Sequence, residues 1–264
     1  MNALKKKIIS FLILSVILIF PLINIAESVS QNEADRARIT PTDILHKISQ
    51  GDVGNASKNI KKAKKELAEY KESDRINAIL ESVDKGELSY RSIFKNTFIA
   101  GDSLMNSLEI YNILNANNLR TQVSASLYHL SDNLPAIISA RPDILILHYG
   151  LNLIDGSAHQ PESFISFYTG LLSQLKDALP DTRIIVSSIF CVDTDKATAK
   201  RFQRIEEYNK ALRDMCKKNG VEFLDNTPLF KDAVGYYAYD GIHLKKEFYE
   251  KVWLRYIVKE KGVF

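Results

Sequence analysis

The sequence from Asn96 onward alternates between short apolar runs and longer stretches whose apolar residues recur at helical spacing. The apolar runs predict five strands: TFIAG (97–101), TQVSA (121–125), DILILHY (143–149), RIIVSSIF (183–190) and VEFLD (221–225). The helical stretches begin with LMNSLEIYNILNANN (104–118) and end with KKEFYEKVWLRYIVKE. Continuously apolar strands separated by helices are typical of a parallel sheet covered on both faces. The pattern therefore predicts a three-layer α/β/α domain over residues 95–264.

The N-terminal residues 1–26 have the pattern of a membrane-targeting segment. Lys5, Lys6 and Lys7 precede an uncharged apolar run at 8–25, which fits a signal peptide or a single membrane-spanning anchor. We expect an uncleaved anchor, because the run is long for a signal peptide and its best cleavage site, Ala26-Glu27-Ser28, is weak. The positive-inside rule places the rest of the chain outside the cytoplasm in either case.

Residues 27–94 are predicted to form a tether followed by a helical spacer. Within this region, 59–83 carries apolar residues at helical spacing with Lys and Glu residues opposite them. A solvent-exposed helix is the favoured interpretation, and a helix that docks a partner is the alternative. The formal net charge of +3 is too small to indicate a nucleic-acid partner.

The two cysteines are predicted to be free thiols. Cys191 follows the fourth predicted strand, and Cys216 lies late in the helix that comes next. Because that helix runs back along the sheet for roughly 25 Å at 1.5 Å per residue, the sulfurs should lie at opposite ends of the sheet. A disulfide cannot span that separation.

Polar residues with catalytic chemistry follow the predicted strands. The first strand ends in GDS (101–103), the third continues into GLN (150–152), and Asp240 and His243 lie in a turn before the last helix. Binding sites in parallel sheets form outside the carboxyl ends of the strands. We therefore expect these residues to meet at one edge of the sheet.

Together these residue types suit nucleophilic acyl transfer. That reaction needs a hydroxyl such as Ser103, a base such as His243 and an acid such as Asp240 to fix the tautomer of the base. The Asn152 side chain adds an N–H donor for an oxyanion hole. Taken alone, Ser103 would fit equally well as part of a turn that begins a helix.

In their order and spacing, these three blocks resemble those of the SGNH (GDSL-type) hydrolase family. The resemblance implies a flavodoxin-like parallel sheet and an esterase that needs no metal or cofactor. It also implies that Ser103 is the nucleophile, His243 the general base and Asp240 its partner. The oxyanion donors would be the Ser103 amide, an amide of the second block and the Asn152 side chain. The supporting residues would be Gly101, Asp102 and Gly150.

Two positions depart from the family pattern. The second block usually offers a glycine after the second strand, whereas this chain reads VSASLYHL, with Ser126 as the nearest match. A backbone N–H is the group required there, so Ser126 is the expected donor. In the third block, Leu153 stands where the family often has an aspartate.

The remaining histidines are weaker candidates. His148 is close enough to Gly150 to suggest an alternative base, but its position in an apolar strand favours a buried structural role. His129 suits either the wall of a pocket or the start of a helix. His46 and His159 lie in no motif that indicates a functional role. The sequence also lacks a Gly-x-Ser-x-Gly elbow, a phosphate-binding loop and an HExxH zinc motif.

The leading functional hypothesis is an extracytoplasmic serine esterase that removes small acyl groups, such as acetyl, from an acyl-ester small molecule or an acylated envelope glycan. One alternative is an acyltransferase that uses the same triad to modify a cell-surface polysaccharide. The other is a catalytically inactive envelope scaffold. The loops at 151–162 and 191–198 are expected to shape the substrate pocket.

Overall fold

The computed structural model of the protein describes residues 56–154 and 161–264. The chain divides into two compact units, Met1–Asp74 and Arg75–Phe264, and the sheet lies in the second. The predicted anchor at 1–26 lies outside the described residues. Within the described ranges, no helix is both long enough and apolar enough to cross a membrane.

The first described helix, α1 (Ala56–Asp84), includes the region predicted as helical at 59–83. In the first unit it carries exposed ion pairs one turn apart, such as Lys65–Glu69 at 3.7 Å. In the second unit, Leu80 is buried in the core and Asp84 pairs with Arg255 at 2.6 Å. Residues 75–94, which we predicted as the end of the spacer, therefore belong to the compact unit that contains the sheet.

The sheet contains five parallel strands: β1 (Thr97–Gly101), β2 (Leu119–Thr121), β3 (Ile144–His148), β4 (Arg183–Ser187) and β5 (Glu222–Leu224). Their order is β2-β1-β3-β4-β5, which confirms the predicted flavodoxin-like topology. Gly101 and His148 are in register at the ends of β1 and β3, so the segments that follow both strands leave the same edge.

The helices that follow α1 are α2 (Tyr90–Ile93), α3 (Ser103–Ile110), α4 (Leu127–Ala140), α5 (Pro161–Ala178), α6 (Ile205–Asn219), α7 (Lys246–Phe248) and α8 (Leu254–Lys261), with a π-helical turn at Tyr249–Trp253. They cover the sheet as two groups. In one group, α5 packs between α4 and α6. In the other, α3 is tied to the C-terminal helical segments by a hydrogen bond from Tyr249 Oη to the Leu104 carbonyl, at 2.7 Å.

The predicted position of the second strand, 121–125, is wrong, because β2 ends at Thr121. Beyond it the chain turns: the Ala125 amide donates to the Gln122 carbonyl at 3.1 Å, and Ser124 has a left-handed φ of 59°. Val123, one of the alternating apolar residues that suggested a strand, is 63% exposed and does not pack against the core. The turn instead delivers Ala125 and Ser126 to the carboxyl edge of the sheet.

The first helix after β1 is also shorter than predicted, since α3 ends at Ile110 rather than near 118. Asn112 adopts a left-handed φ of 57°, and the amides of Ile113 and Leu114 both donate to the Leu108 carbonyl. This turn buries Ile113 and Leu114 in the core. The burial of these two apolar side chains offsets the helical hydrogen bonds that are lost when the helix ends at Ile110.

Candidate active site

The corner between β1 and α3 presents Ser103 as the first residue of a helix. Asp102 caps that helix, because its Oδ1 accepts from the Leu104 amide at 3.0 Å. Gly101 is required at this corner by close approach: a Cβ there would lie 2.8 Å from the His148 carbonyl oxygen of the neighbouring strand. As the first helical residue, Ser103 also presents a backbone N–H that has no acceptor within the helix.

His243 is held by the turn that begins at Asp240. Asp240 Oδ1 accepts from the amides of Ile242 and His243 at 2.9 and 3.0 Å, which closes the turn. Its other oxygen, Oδ2, lies 2.6 Å from His243 Nδ1. Burial alone would raise the pKa of Asp240, but the hydrogen bonds from the His243 side chain and from the two amides together lower it below the ordinary value. The carboxylate is therefore ionised at neutral pH.

The structure brings Ser103, His243 and Asp240 into one continuous chain of hydrogen bonds. His243 Nε2 lies 3.1 Å from Ser103 Oγ, although the two residues are 140 positions apart in sequence. Because Nδ1 faces a carboxylate, it carries the proton, and Nε2 is left with the lone pair that faces the serine hydroxyl. This arrangement allows the imidazole to take the proton of Ser103.

Ser126 follows β2, the strand that lies beside β1, and its amide is already engaged. Ser126 caps α4, and its backbone N–H donates to His129 Nδ1 at 3.1 Å. The Ser126 hydroxyl lies 3.3 Å from the same nitrogen. The N–H that was expected to serve as the second oxyanion donor is therefore not free in this structure.

Asn152 lies in the turn after β3 and is anchored to the same loop. Its Nδ2 donates one hydrogen to the Ala125 carbonyl at 2.9 Å, which leaves the second N–H available at an exposed side chain. Gly150 makes the turn possible, because its φ is +146° and a side chain there would overlap Ile189. Leu153, at the departure from the family pattern, is partly buried against the core.

Asp102 places a second carboxyl group directly beside Ser103. The residue is buried, and its Oδ2 has no hydrogen-bond partner among the described residues. Burial raises its pKa to about 7, against the opposing effects of the Leu104 amide and the nearby His243. A proton on Asp102 is thus retained well above the pH at which an exposed aspartate loses it.

His148 is a structural histidine, in agreement with its position in an apolar strand. Its Nδ1 lies 3.0 Å from Ser187 Oγ, which also accepts from Asn226 Nδ2 at 2.8 Å. The ring packs edge-on against Phe190, with 4.3 Å between centroids. Complete burial lowers the pKa of His148 to about 3, so it stays neutral near pH 7.

His129 lies at the start of α4, one of the two roles predicted for it, and its ring contacts Ser126 in a capping box. The spacing of that motif, an N-cap serine followed three residues later by a side-chain acceptor, is present in the sequence. The usual acceptor there is Glu or Gln, so the pattern does not by itself predict a histidine in this role. In the structure the ring nitrogen of His129 is the acceptor.

The two loops predicted to shape the substrate pocket, 151–162 and 191–198, each include a residue described above or in contact with the histidine turn. The 191–198 loop contacts the histidine turn, because the Asp193 amide donates to the Gly241 carbonyl at 2.8 Å. Residues 155–160 of the other loop lie outside the described residues. Two exposed aromatic residues lie on segments that adjoin the site. Tyr239 precedes Asp240 in the chain and is 95% exposed, and Tyr128, two residues beyond Ser126, packs at a tilt against Phe167 with 5.1 Å between ring centroids.

Comparisons with known proteins point to one family. The sequence profile of the GDSL-like Lipase/Acylhydrolase family matches residues 100–251. A structure assigned as a GDSL-like lipase from Parabacteroides merdae is 16% identical, with a TM-score of 0.51, and the match covers 64% of this chain and 95% of that one. A structure assigned as an acylhydrolase from Bacteroides fragilis is 13% identical, with a TM-score of 0.50, covering 63% and 85%. No curated protein matches the chain.

Proposed function

This chain belongs to the GDSL-like Lipase/Acylhydrolase family of ester-bond hydrolases, and we propose that it is a serine esterase whose triad is Ser103, His243 and Asp240. The observation that carries this proposal is the hydrogen-bond chain from Asp240 through His243 to Ser103. These three groups supply a nucleophile, a general base and an acid that fixes the tautomer of the base.

In the acylation step, Ser103 Oγ attacks the ester carbonyl carbon while its proton passes to His243 Nε2. Asp240, at 2.6 Å, stabilises the imidazolium that forms. The carbonyl oxygen becomes an oxyanion, to which we assign two donors: the Ser103 backbone N–H and the second side-chain N–H of Asn152. As the tetrahedral intermediate collapses, the leaving alkoxide takes the proton from His243 Nε2, and the acyl group remains on Ser103.

In the deacylation step, a water molecule attacks the acyl-serine carbonyl and gives its proton to His243 Nε2. The same two donors hold the second oxyanion. When this intermediate collapses, Ser103 Oγ leaves and takes the proton back from His243. The products are the free acid and the enzyme in its starting protonation state.

As substrate we propose a small acyl group, such as acetyl, on a hydrophilic carrier. An open site supports this proposal: the His243 side chain is 43% exposed, so a bulky carrier can approach the reacting atoms. The exposed aromatic faces of Tyr239 and Tyr128 offer flat apolar surfaces beside a polar rim, which suits the ring of an acylated glycan.

We also propose that the reaction takes place outside the cytoplasm. The support is the sequence pattern at the N-terminus, where Lys5–Lys7 precede the apolar run at 8–25. Fractionation of cells that produce the full chain tests this location. Protection of residues 95–264 from protease added outside intact spheroplasts would contradict it.

Labelling with a fluorophosphonate probe, followed by hydrolysis of p-nitrophenyl esters of increasing chain length, tests the esterase proposal. We expect strong labelling and fastest hydrolysis of the acetyl ester, with both lost in Ser103→Ala. Ser107→Ala, one turn along α3, is the matched control and should keep both activities. Absence of labelling in the wild-type chain would favour the inactive scaffold. Formation of acylated sugar when oligosaccharide is added would identify transfer rather than hydrolysis.

A further inference from the structure

We propose that His129 is a positioning residue for the oxyanion hole, acting on Asn152 through the peptide bond between Ala125 and Ser126. The inference rests on the esterase function proposed above and concerns which donors that esterase uses. His129 would touch neither the substrate nor the reacting atoms. It would set the orientation of one peptide plane.

The peptide unit between Ala125 and Ser126 is held at both ends. Its carbonyl oxygen, which belongs to Ala125, accepts from Asn152 Nδ2 at 2.9 Å. Its N–H, which belongs to Ser126, donates to His129 Nδ1 at 3.1 Å. Because a peptide unit is planar, these two contacts cannot change independently. Rotation of the plane that breaks one contact also moves the other.

The same geometry explains why Ser126 is not an oxyanion donor in this chain. In a trans peptide the C=O and N–H bonds point in opposite directions, and the described residues contain no cis peptide. The carbonyl points to Asn152, so the Ser126 N–H points away from it. One oxyanion therefore cannot accept from the Asn152 amide and the Ser126 amide at the same time. We therefore assign two donors to the hole, the Ser103 N–H and the second N–H of Asn152 Nδ2, and not the Ser126 N–H.

The sequence at this turn makes His129 the residue that selects this orientation. Ser126 and Ala125 are buried, and a buried amide without an acceptor is unfavourable by about 1 to 3 kcal/mol. With the His129 ring present, the Ser126 N–H has its acceptor only when the Ala125 carbonyl faces Asn152. Without the ring, the peptide plane loses that preference, and the Asn152 side chain loses its fixed anchor.

Steady-state kinetics of His129→Ala with p-nitrophenyl acetate tests the proposal. We expect kcat to fall about tenfold with little change in KM, because a displaced donor weakens the transition state more than it weakens binding. His129→Gln should retain most of the activity, since glutamine is a usual acceptor at this position of a capping box. In an Asn152→Ala background the same His129→Ala change should have almost no effect, because both residues act through one donor.

A stability control separates positioning from loss of a helix cap. Ser89 caps α2, where its Oγ accepts from the Ser92 amide at 3.3 Å. Ser89→Ala should lower Tm by an amount similar to His129→Ala while leaving kcat unchanged. If both variants lower kcat equally, the His129 effect is one of stability, and the proposal is wrong.

Other outcomes also decide the question. A higher kcat in His129→Ala would mean that the freed Ser126 amide is a third donor that the ring withholds, which overturns the two-donor hole. A loss of equal size with and without Asn152 would overturn the proposed path through the peptide. A wild-type chain without esterase activity would contradict the proposed function itself, whereas an active wild type with unchanged His129→Ala would contradict this inference alone.

Discussion

The candidate site has two sides that use their hydrogen bonds differently. The base side consists of Ser103, His243 and Asp240, and its side-chain contacts run from Asp240 Oδ2 through the His243 ring to the serine hydroxyl. The oxyanion side consists of the 125–129 segment and Asn152, and its contacts are directed at its own backbone. One side is arranged to move a proton, and the other is arranged to hold a loop in place.

The two sides also depend on different extents of the fold. The base side joins residues 140 positions apart, so the whole sheet is required to align it. The oxyanion side depends on a capping box that spans only four residues, Ser126 to His129, and on one contact from a neighbouring turn. We therefore expect activity to be more sensitive to substitutions on the base side than to substitutions on the oxyanion side.

The largest expected effect is on the base itself. His243→Ala should lower kcat by about 10⁴-fold or more, because the nucleophile loses its proton acceptor. His148→Asn is the matched change at the buried histidine and should reduce thermal stability while leaving most of kcat. Steady-state kinetics and thermal denaturation of both variants provide the measurements. Similar losses of kcat in the two would contradict the assignment of His243 as the base.

The next effect concerns the acid on the base side. Asp240→Asn keeps an oxygen that can accept from the turn amides but presents an N–H or a neutral oxygen to His243. We expect a decrease in kcat of about 10³- to 10⁴-fold, because the imidazole loses both its preferred tautomer and its charge partner. The pH dependence of kcat/KM should be recorded along with the rate. A loss below tenfold would show that Asp240 mainly supports the turn.

A smaller effect is expected on the oxyanion side. Asn152→Ala removes one donor and should lower kcat by about 10²- to 10³-fold, as for other single oxyanion donors. KM should change little, because the contact strengthens as the carbonyl oxygen gains charge. Asn133→Ala, which removes a side-chain amide from α4 one turn beyond His129, serves as a comparison. An unchanged kcat in Asn152→Ala would make the two-donor hole untenable.

The smallest effect on activity, and a clear effect on stability, is expected at Asp102. Its pKa is raised to about 7 by burial, so the folded protein keeps a proton that the unfolded chain loses near pH 4. This contribution to the unfolding free energy is present below pH 4, declines as pH rises towards 7 and is absent above it. Asp102→Asn keeps a side-chain oxygen that caps α3, and because asparagine does not ionise, the variant does not lose stability as the pH rises.

Denaturant unfolding of Asp102→Asn and of the wild-type chain at several pH values tests this expectation. The two should have similar unfolding free energies near pH 4. At pH 8 the variant should be more stable by about 4 kcal/mol, because each unit by which burial raises the pKa of Asp102 corresponds to about 1.4 kcal/mol. A constant difference between them across this pH range would show that Asp102 ionises normally in the fold.

Much of the fold could be predicted because the signals are local. Four of the five strands formed at the apolar runs, and Thr97–Gly101 has the predicted limits. The second strand was misplaced because Val123 and Ala125 alternate as in a strand, while the left-handed Ser124 makes a turn. The length of α3 was overestimated for a similar reason, since Ile113 and Leu114 serve the core rather than a helix face.

Apolar periodicity and helix-start residues act over a few positions, so the sequence alone predicts which residues follow a strand or precede a helix at one edge of the sheet: Ser103, Asn152, Asp240 and His243. The contact of His243 Nε2 with Ser103 Oγ, and of the Ala125 carbonyl with Asn152, could be found only in the folded chain. Those contacts join segments distant in sequence. Their directions depend on the orientation of a ring and a peptide plane, which residue order does not encode locally.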